Sequence, residues 1–259
     1  MSHLLEIFKF AYFPKFDQSI EYLAENLAHE EQWDFSDSGS KKYSILKNYL
    51  EYTYRRLKQE SKIEYTKENN QAAFNTGLVT KNLEDIYAFF EKSTSSHGGA
   101  PFCFKAFLKE SDNKMLKYFS ESTPKVANYF EKPEELLFNP ELKLIVNIDH
   151  IIDDNKNRFP THLQTADPAE LRRQLTGSTE EIKKKVRNNY KLAVPQYYNG
   201  KFQLLLPLCL TNGSPNPDLA LVVDKLNKTT YTARTCLTLK MAYNNARLIV
   251  QPQSAWLKP

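Results

Sequence analysis

Apolar positions along the chain fall into three regimes. Over the first sixty or so residues their spacing is helical. Ile20, Leu23 and Leu27 predict a short amphipathic helix over 17–27 with Asp17 as its N-cap. Tyr43, Leu46, Leu50, Tyr54 and Leu57 recur at three- and four-residue steps and predict a helix over roughly 41–59. A polar loop at 36–40 separates the two. The middle switches to aromatic and β-branched runs: 63–65, 71–79, 86–91 and 102–108 read as strands, with 80–85 as a hairpin connection and 93–101 as a flexible loop. Residues 111–145, cut by Pro124, Pro133 and Pro140, define no element.

Helical spacing returns at Ile148, Ile151 and Ile152, in a segment that Pro160 would end. A long helix follows over 166–193, with Leu171, Leu175, Ile182 and Val186 as its apolar stripe and Gly177 as a candidate interruption. The last third predicts strands at 202–210, 219–226 and 231–239, a tight turn at 227–230 and a short helix at 241–246. No repeat and no linker stand out. The expected fold is α+β, with N-terminal helices and one long later helix packed on a mainly antiparallel sheet. It forms a single domain over 1–259, with a helical part at 1–61 and a sheet-containing body at 62–259.

Composition narrows the function classes. A chain of 259 residues buries enough surface to fold without a disulfide or a metal. Cys103, Cys209 and Cys236 are widely separated and read as reduced thiols. No apolar run of membrane-spanning length occurs, and the stretch from Met1 to Glu6 lacks the basic and apolar regions of a leader. The expectations are therefore no membrane and a cytoplasmic location. The seven glycines form neither G-x-G-x-x-G nor a Walker loop, and the five histidines form no H-E-x-x-H pair, so neither a cofactor nor a metal is expected. A net charge of +4 permits an anionic partner without requiring one.

Five places gather polar side chains. Asn147, His150, Asp154 and Arg158 step along one helix face. Arginine there clamps a phosphate and histidine transfers a proton; the competing reading is a solvated helix face. Strand 231–239 puts Tyr231, Ala233, Thr235, Leu237 and Leu239 on one side and Thr232, Arg234, Cys236 and Thr238 on the other, leaving Arg234 to bind an anion or simply to face water. Tyr243, Asn244, Asn245 and Arg247 combine a stacking ring, two amides and a guanidinium; helix capping explains the asparagines equally well. Asn75 stands among small residues before Gly77, which marks either room for a ligand or a bulge. Lys183–Lys191 carries five cations and no acid, with Lys184 and Arg187 as candidate phosphate contacts, or as cations complementing a helix C-terminus. The adjacent carboxylates Glu30/Glu31, Asp153/Asp154 and Glu180/Glu181 diverge on a helix and make poor catalytic pairs.

Eight blocks carry a family resemblance: FKFAYFPKF (8–16), AFNTGLV (73–79), IYAFF (86–90), HIIDDNKNRFP (150–160), VPQYY (194–198), LLLPLCLT (204–211), LALVVDK (219–225) and TCLTLKMAYNNARLI (235–249). They resemble an uncharacterised, mostly bacterial domain family whose members occur alone or beside predicted RNA-binding modules of the OST-HTH (LOTUS) and cold-shock types. The resemblance spans nearly the whole chain and implies RNA as a context, by association and without a reaction. Lys240 stands where the family leads one to expect an acid.

Three functions remain open. The first is a metal-independent enzyme acting on RNA or a nucleotide phosphate. In it His150 is general acid or base, Arg158 and Arg234 hold the phosphate, and Asn75, Tyr243, Asn244, Asn245, Arg247, Lys184 and Arg187 bind substrate, with His97 as a possible second histidine. The second is a non-catalytic RNA-binding domain, and the third a protein-interaction scaffold.

Overall fold

The computed structural model describes residues 5–34, 42–94, 99–211, 213–214 and 216–257. The 36–40 loop and His97 of the 93–101 loop lie outside them. Contacts gather into two compact units, 1–128 and 129–259, each holding its own five-stranded sheet. The helical part at 1–61 is thus not a separate body. It already contains the first strand and supplies the helices that cover the first sheet.

Unit 1 begins with α1 (Glu6–Phe10), β1 (Ala11–Tyr12) and α2 (Phe16–Tyr22), the last continued by a π-helical turn, Leu23–Leu27. Then come α3 (Ser44–Gln59), β2 (Glu64–Tyr65), β3 (Gln71–Val79), β4 (Asp85–Lys92), β5 (Phe102–Lys109) and α4 (Asn113–Phe119). The sheet order is β1-β5-β4-β3-β2, antiparallel except for β1 alongside β5. Asp17 lies in the first turn of α2 rather than at its cap, which is Lys15. Both sheet faces are apolar because both are covered. Phe10 meets Phe90 and Phe102, Tyr54 of α3 meets Phe74, and Phe13 stacks on Phe104 at 4.7 Å. On the opposite side Met115 and Phe119 of α4 pack against Ala73, Tyr87 and Phe89. Strand alternation sends Phe74 and Phe90 one way and Ala73 and Phe89 the other, so the run of unbroken apolar residues is a two-sided strand signature. Each fully buried ring contributes about 2–3 kcal/mol.

A buried carboxylate sets the start of the unit. Glu51 on α3 accepts the backbone N–H groups of Glu6 and Ile7 at 2.9 and 3.1 Å, and Arg55 balances its charge. Those N–H groups open α1 and have no partner within the helix, which makes the pairing favourable.

Unit 2 contains a 3-10 turn (Pro133–Leu136), then β6 (Lys143–Val146), α5 (Ile148–Asn155), a 3-10 turn (Lys156–Arg158), α6 (Thr161–Gln164) and α7 (Pro168–Asn188). After the 3-10 turn Tyr190–Leu192 come β7 (Val194–Tyr198), β8 (Lys201–Leu208), β9 (Leu219–Lys225), β10 (Thr230–Leu237) and α8 (Leu239–Arg247). Asp167 caps α7, accepting from the backbone of Ala169 and Glu170, and Pro168 occupies the first turn, where its missing N–H costs nothing. Gly177 does not interrupt the helix. The sheet order is β6-β10-β9-β8-β7, antiparallel except for β6 alongside β10. One face packs Leu204, Leu206, Leu221 and Val223 against Ile151, Leu171, Leu175 and Ile182 of α5 and α7.

The two sheets have one topology: first strand, covering helices, second to fifth strands in hairpin succession back to the first, then a closing helix. No spacing in the sequence displays this repeat.

Candidate functional site

The face of α5 forms as expected. Asn147 caps the helix, its side chain accepting from His150 N, and His150 Nδ1 lies 2.7 Å from Asp154 Oδ2 with both side chains exposed. Arg158, one step further, is engaged elsewhere. Its Nη1 donates to Cys236 O at 2.7 Å, Asn155 Oδ1 at 2.8 Å and Thr235 Oγ1 at 3.1 Å. Asn155, 3% exposed, accepts from Cys236 N at 3.1 Å. The physical reason is the length of β6. Its pairing with β10 stops at Val146↔Ala233, and Asn147 N donates to Ala233 O as the chain leaves. Beyond that point β10 has a bare edge, and the side chains of Asn155 and Arg158 take the donor and acceptor of Cys236 as a neighbouring strand would.

Arg234 sits at the break. The pairing of β10 with β9 shifts register between Thr232 and Thr235, a bulge in which Ala233 and Arg234 stand opposite a single β9 residue. Strict alternation therefore fails. Tyr231, Ala233 and Cys236 share the core, in place of the predicted separation of Cys236 from Ala233. Arg234 is exposed, between the residue that Asn147 binds and the one that Arg158 binds. His150, Arg158 and Arg234 thus belong to one neighbourhood of α5 and β10. Within it Arg158 has a structural task, while His150 and Arg234 face solvent.

Asn75 lies in unit 1 at the bulge of β3. Its Oδ1 accepts from Gly77 N at 2.8 Å, its Nδ2 donates to Asp85 at 2.9 Å, and it is 1% exposed. Gly77 has φ +72°, and a Cβ there would come within 2.6 Å of the Tyr49 hydroxyl, itself bonded to Thr76 O. The amide therefore holds a bulge. On α8, Tyr243 and Arg247 are buried and Asn244 is half-buried. Asn245 begins a polar row across the sheet: it donates to Gln196, Gln196 to Gln203 and Gln203 to Asp224, at 3.1, 2.8 and 2.8 Å. By alternation with Leu204 and Val223 this row lies on the face opposite the α5/α7 core.

The cationic helix end divides into two sets. Lys183 pairs with Glu180 at 2.6 Å and Lys185 with Glu181 at 2.6 Å, so the local charge of both cancels. Among the described residues no acid pairs with Lys184, Arg187 or Lys191, and all three are exposed. Arg173 is likewise exposed and without an acid partner among the described residues, and its place in the sequence did not mark it out. At 100° per residue Arg173, Lys184 and Arg187 fall within about 60° on one side of α7, and they extend along roughly 21 Å of its axis. Helical register alone does not separate the paired from the unpaired lysines, because Lys184 stands four residues after Glu180 and three after Glu181, and only the fold shows the glutamates taken by Lys183 and Lys185. Register extended back across Gly177 would have added Arg173.

Burial pushes the Cys236 thiol up to about 12, and burial likewise raises that of Cys209, so neither is a thiolate near neutrality. Among the described residues no three His, Cys, Asp or Glu side chains group as a metal would need, and no helix is long and apolar enough to cross a membrane.

The model of a family described as a domain of unknown function, DUF3825, matches residues 24–256. The chain belongs to the DUF3825 family. The match starts after α1, β1 and α2 and takes in the rest of unit 1 and nearly all of unit 2, so it covers four of the five strands of the first sheet and all of the second. No curated protein and no solved structure matches the chain.

Proposed function

We propose that this DUF3825 protein binds RNA non-catalytically, through the phosphate backbone, on the solvent face of α7. The observation that carries this reading is the row of exposed cations that no acid pairs with among the described residues: Arg173, Lys184 and Arg187 along one helix side, where the acid, Glu180, is taken by Lys183, with Lys191 just beyond the helix end. The helix dipole accounts for cations in the C-terminal turn and gives no role to Arg173, which lies far upstream of it. Phosphate contact releases counterions and makes affinity depend on salt, so three contacts to a single strand give a log–log slope of about −2. The RNA-binding neighbours that the family resemblance implies are in keeping with this reading.

The test is fluorescence anisotropy of a labelled oligoribonucleotide across a salt series, with the wild type and K184E/R187E. The expected result is a salt-dependent affinity that falls about tenfold or more on charge reversal. Equal affinity of the two proteins, or binding indifferent to salt, overturns it.

A second reading keeps chemistry at His150. Asp154 holds Nδ1 and leaves Nε2 toward solvent, with the Arg234 guanidinium in the same neighbourhood, an arrangement suited to proton transfer at a phosphodiester. Incubation of labelled RNA in EDTA with the wild type and His150→Ala decides it: fragments that disappear in the variant support the reading, and intact RNA with the wild type removes it.

A further inference from the structure

We infer that the RNA held on α7 is single-stranded, and that Tyr190 is the platform on which one of its bases stacks. This rests on the α7 reading and adds the class of strand. Tyr190 is 63% exposed, the largest exposure among the aromatic side chains of the described residues. It stands two residues past the end of α7, between Arg187 and Lys191, where the cationic stripe leaves the helix.

The ring is exposed, yet its backbone is held. Asn189 caps the 3-10 turn, its side chain accepting from Lys191 N at 3.2 Å and its carbonyl from Leu192 N at 3.1 Å. Ala193 N closes the turn on Tyr190 O at 3.2 Å. From the C-terminal segment, Ser254 Oγ donates to Lys191 O at 3.2 Å and Trp256 Nε1 to Leu192 O at 3.0 Å. Together these five hydrogen bonds fix the direction in which the side chain leaves the surface. An exposed tyrosine on a loose loop loses more freedom when a base settles on it; one on a pinned turn loses little.

Position then selects the ligand. A ring flanked by two unpaired cations offers a π-face and phosphate partners at once, which is what successive nucleotides of an unpaired strand present. A duplex stacks its bases on each other, shows the ring only backbone, and gains from the cations alone. An apolar protein partner would gain nothing from Arg187 and Lys191.

The experiment uses the full chain with a short single-stranded oligoribonucleotide and its duplex, each labelled for anisotropy, and with Tyr190→Leu, Tyr190→Phe and K184E/R187E. Thermal melts confirm that the variants fold. Tyr190→Leu should weaken single-strand binding about tenfold, a stacking contribution of the usual size, while leaving duplex binding unchanged. Tyr190→Phe should bind as the wild type, and K184E/R187E should lose both ligands. Tyr190→Leu that binds the single strand as tightly as wild type overturns the inference, and so does an equal loss for strand and duplex. In both cases the α7 reading stands if charge reversal still abolishes binding. If wild type binds neither RNA, the α7 reading itself falls.

Discussion

The two units put one topology to two uses, and the difference lies in charge. In unit 1 every cation of the long covering helix α3 has an acid: Lys47 meets Asp17, Arg55 meets Glu51, Arg56 meets Glu60, and Lys58 meets Glu6. In unit 2 the long covering helix α7 pairs Arg172, Lys183 and Lys185 and leaves Arg173, Lys184 and Arg187 without acids among the described residues. The cores differ too, rich in rings in unit 1 and in leucine and isoleucine in unit 2. A sheet with a helix across it needs only an apolar stripe underneath. What the outer side of the helix carries is free to vary, and the same scaffold can be neutral in one copy and cationic in the other.

Four measurements test that contrast, the strongest first. Gly77→Ala should destabilise by about 3 kcal/mol in urea unfolding, because alanine resists the positive φ and its Cβ meets a tyrosine hydroxyl that is already bonded. A loss below about 1 kcal/mol would mean that the bulge of β3 yields easily.

Asn155→Ala removes the acceptor for Cys236 N and loosens Arg158, and should cost about 2 kcal/mol through a buried donor left unpaired. Thiol labelling reads it directly: Cys236, fully buried in the native protein, should react with a maleimide faster in the variant. Unchanged labelling would show that the edge of β10 does not depend on this clamp.

Acid should weaken unit 1. Burial alone would raise the Glu60 carboxyl, but Lys62, the backbone N–H of Asn128 and Arg56 outweigh it and hold the pKa below the ordinary carboxylate range. Glu91 is lowered in the same way, its burial outweighed by Lys114 and Lys105. A carboxyl depressed in the folded state stabilises fully above its unfolded pKa of about 4.3, and that contribution disappears as pH falls through the folded value. Trp33 and Trp256 stand one in each unit, so fluorescence of Trp33→Phe and Trp256→Phe variants separates the two. The Trp33 signal should change as pH falls below about 4.3, and Glu60→Gln should flatten its acid limb. An acid limb that Glu60→Gln leaves unchanged would refute this.

Gly177→Ala is the smallest effect and has the opposite sign to Gly77→Ala. It lies in α7 with nothing within 4 Å of the added Cβ, so it should stabilise by about 0.5–1 kcal/mol. A loss of stability would show that the helix is not continuous there.

The strong periodicities are legible in the order of residues alone. β3 occupies 71–79 as predicted, and α3 and α7 lie within the predicted helices: α3 starts three residues late and ends as predicted, and α7 is shorter by two residues at its start and five at its end. β1, β6 and β7 are not legible in that way, for separate reasons. β1 is two residues long, β6 follows a proline-cut segment, and β7 contains Pro195, which speaks against a strand unless the strand is an edge. Of the candidate site residues, Lys184 and Arg187, chosen from a stretch with five cations and no acid, are exposed, with no acid paired to them among the described residues. Asn75 and Arg158 turn out to hold backbone, and Tyr243 and Arg247 to be buried.

Local spacing is thus enough to set which segments become helix or strand and which cations share a helix face, because both follow from 3.6- and two-residue periods acting over a few neighbours. The partners of those groups are decided only on folding. Asn155 and Cys236, or Glu51 and the backbone of Glu6, are far apart in the chain, and a hydrogen bond between them exists only once two elements are packed. Whether an arginine is a clamp or an open contact depends on where the neighbouring strand ends, and no periodicity in the amino-acid order encodes that.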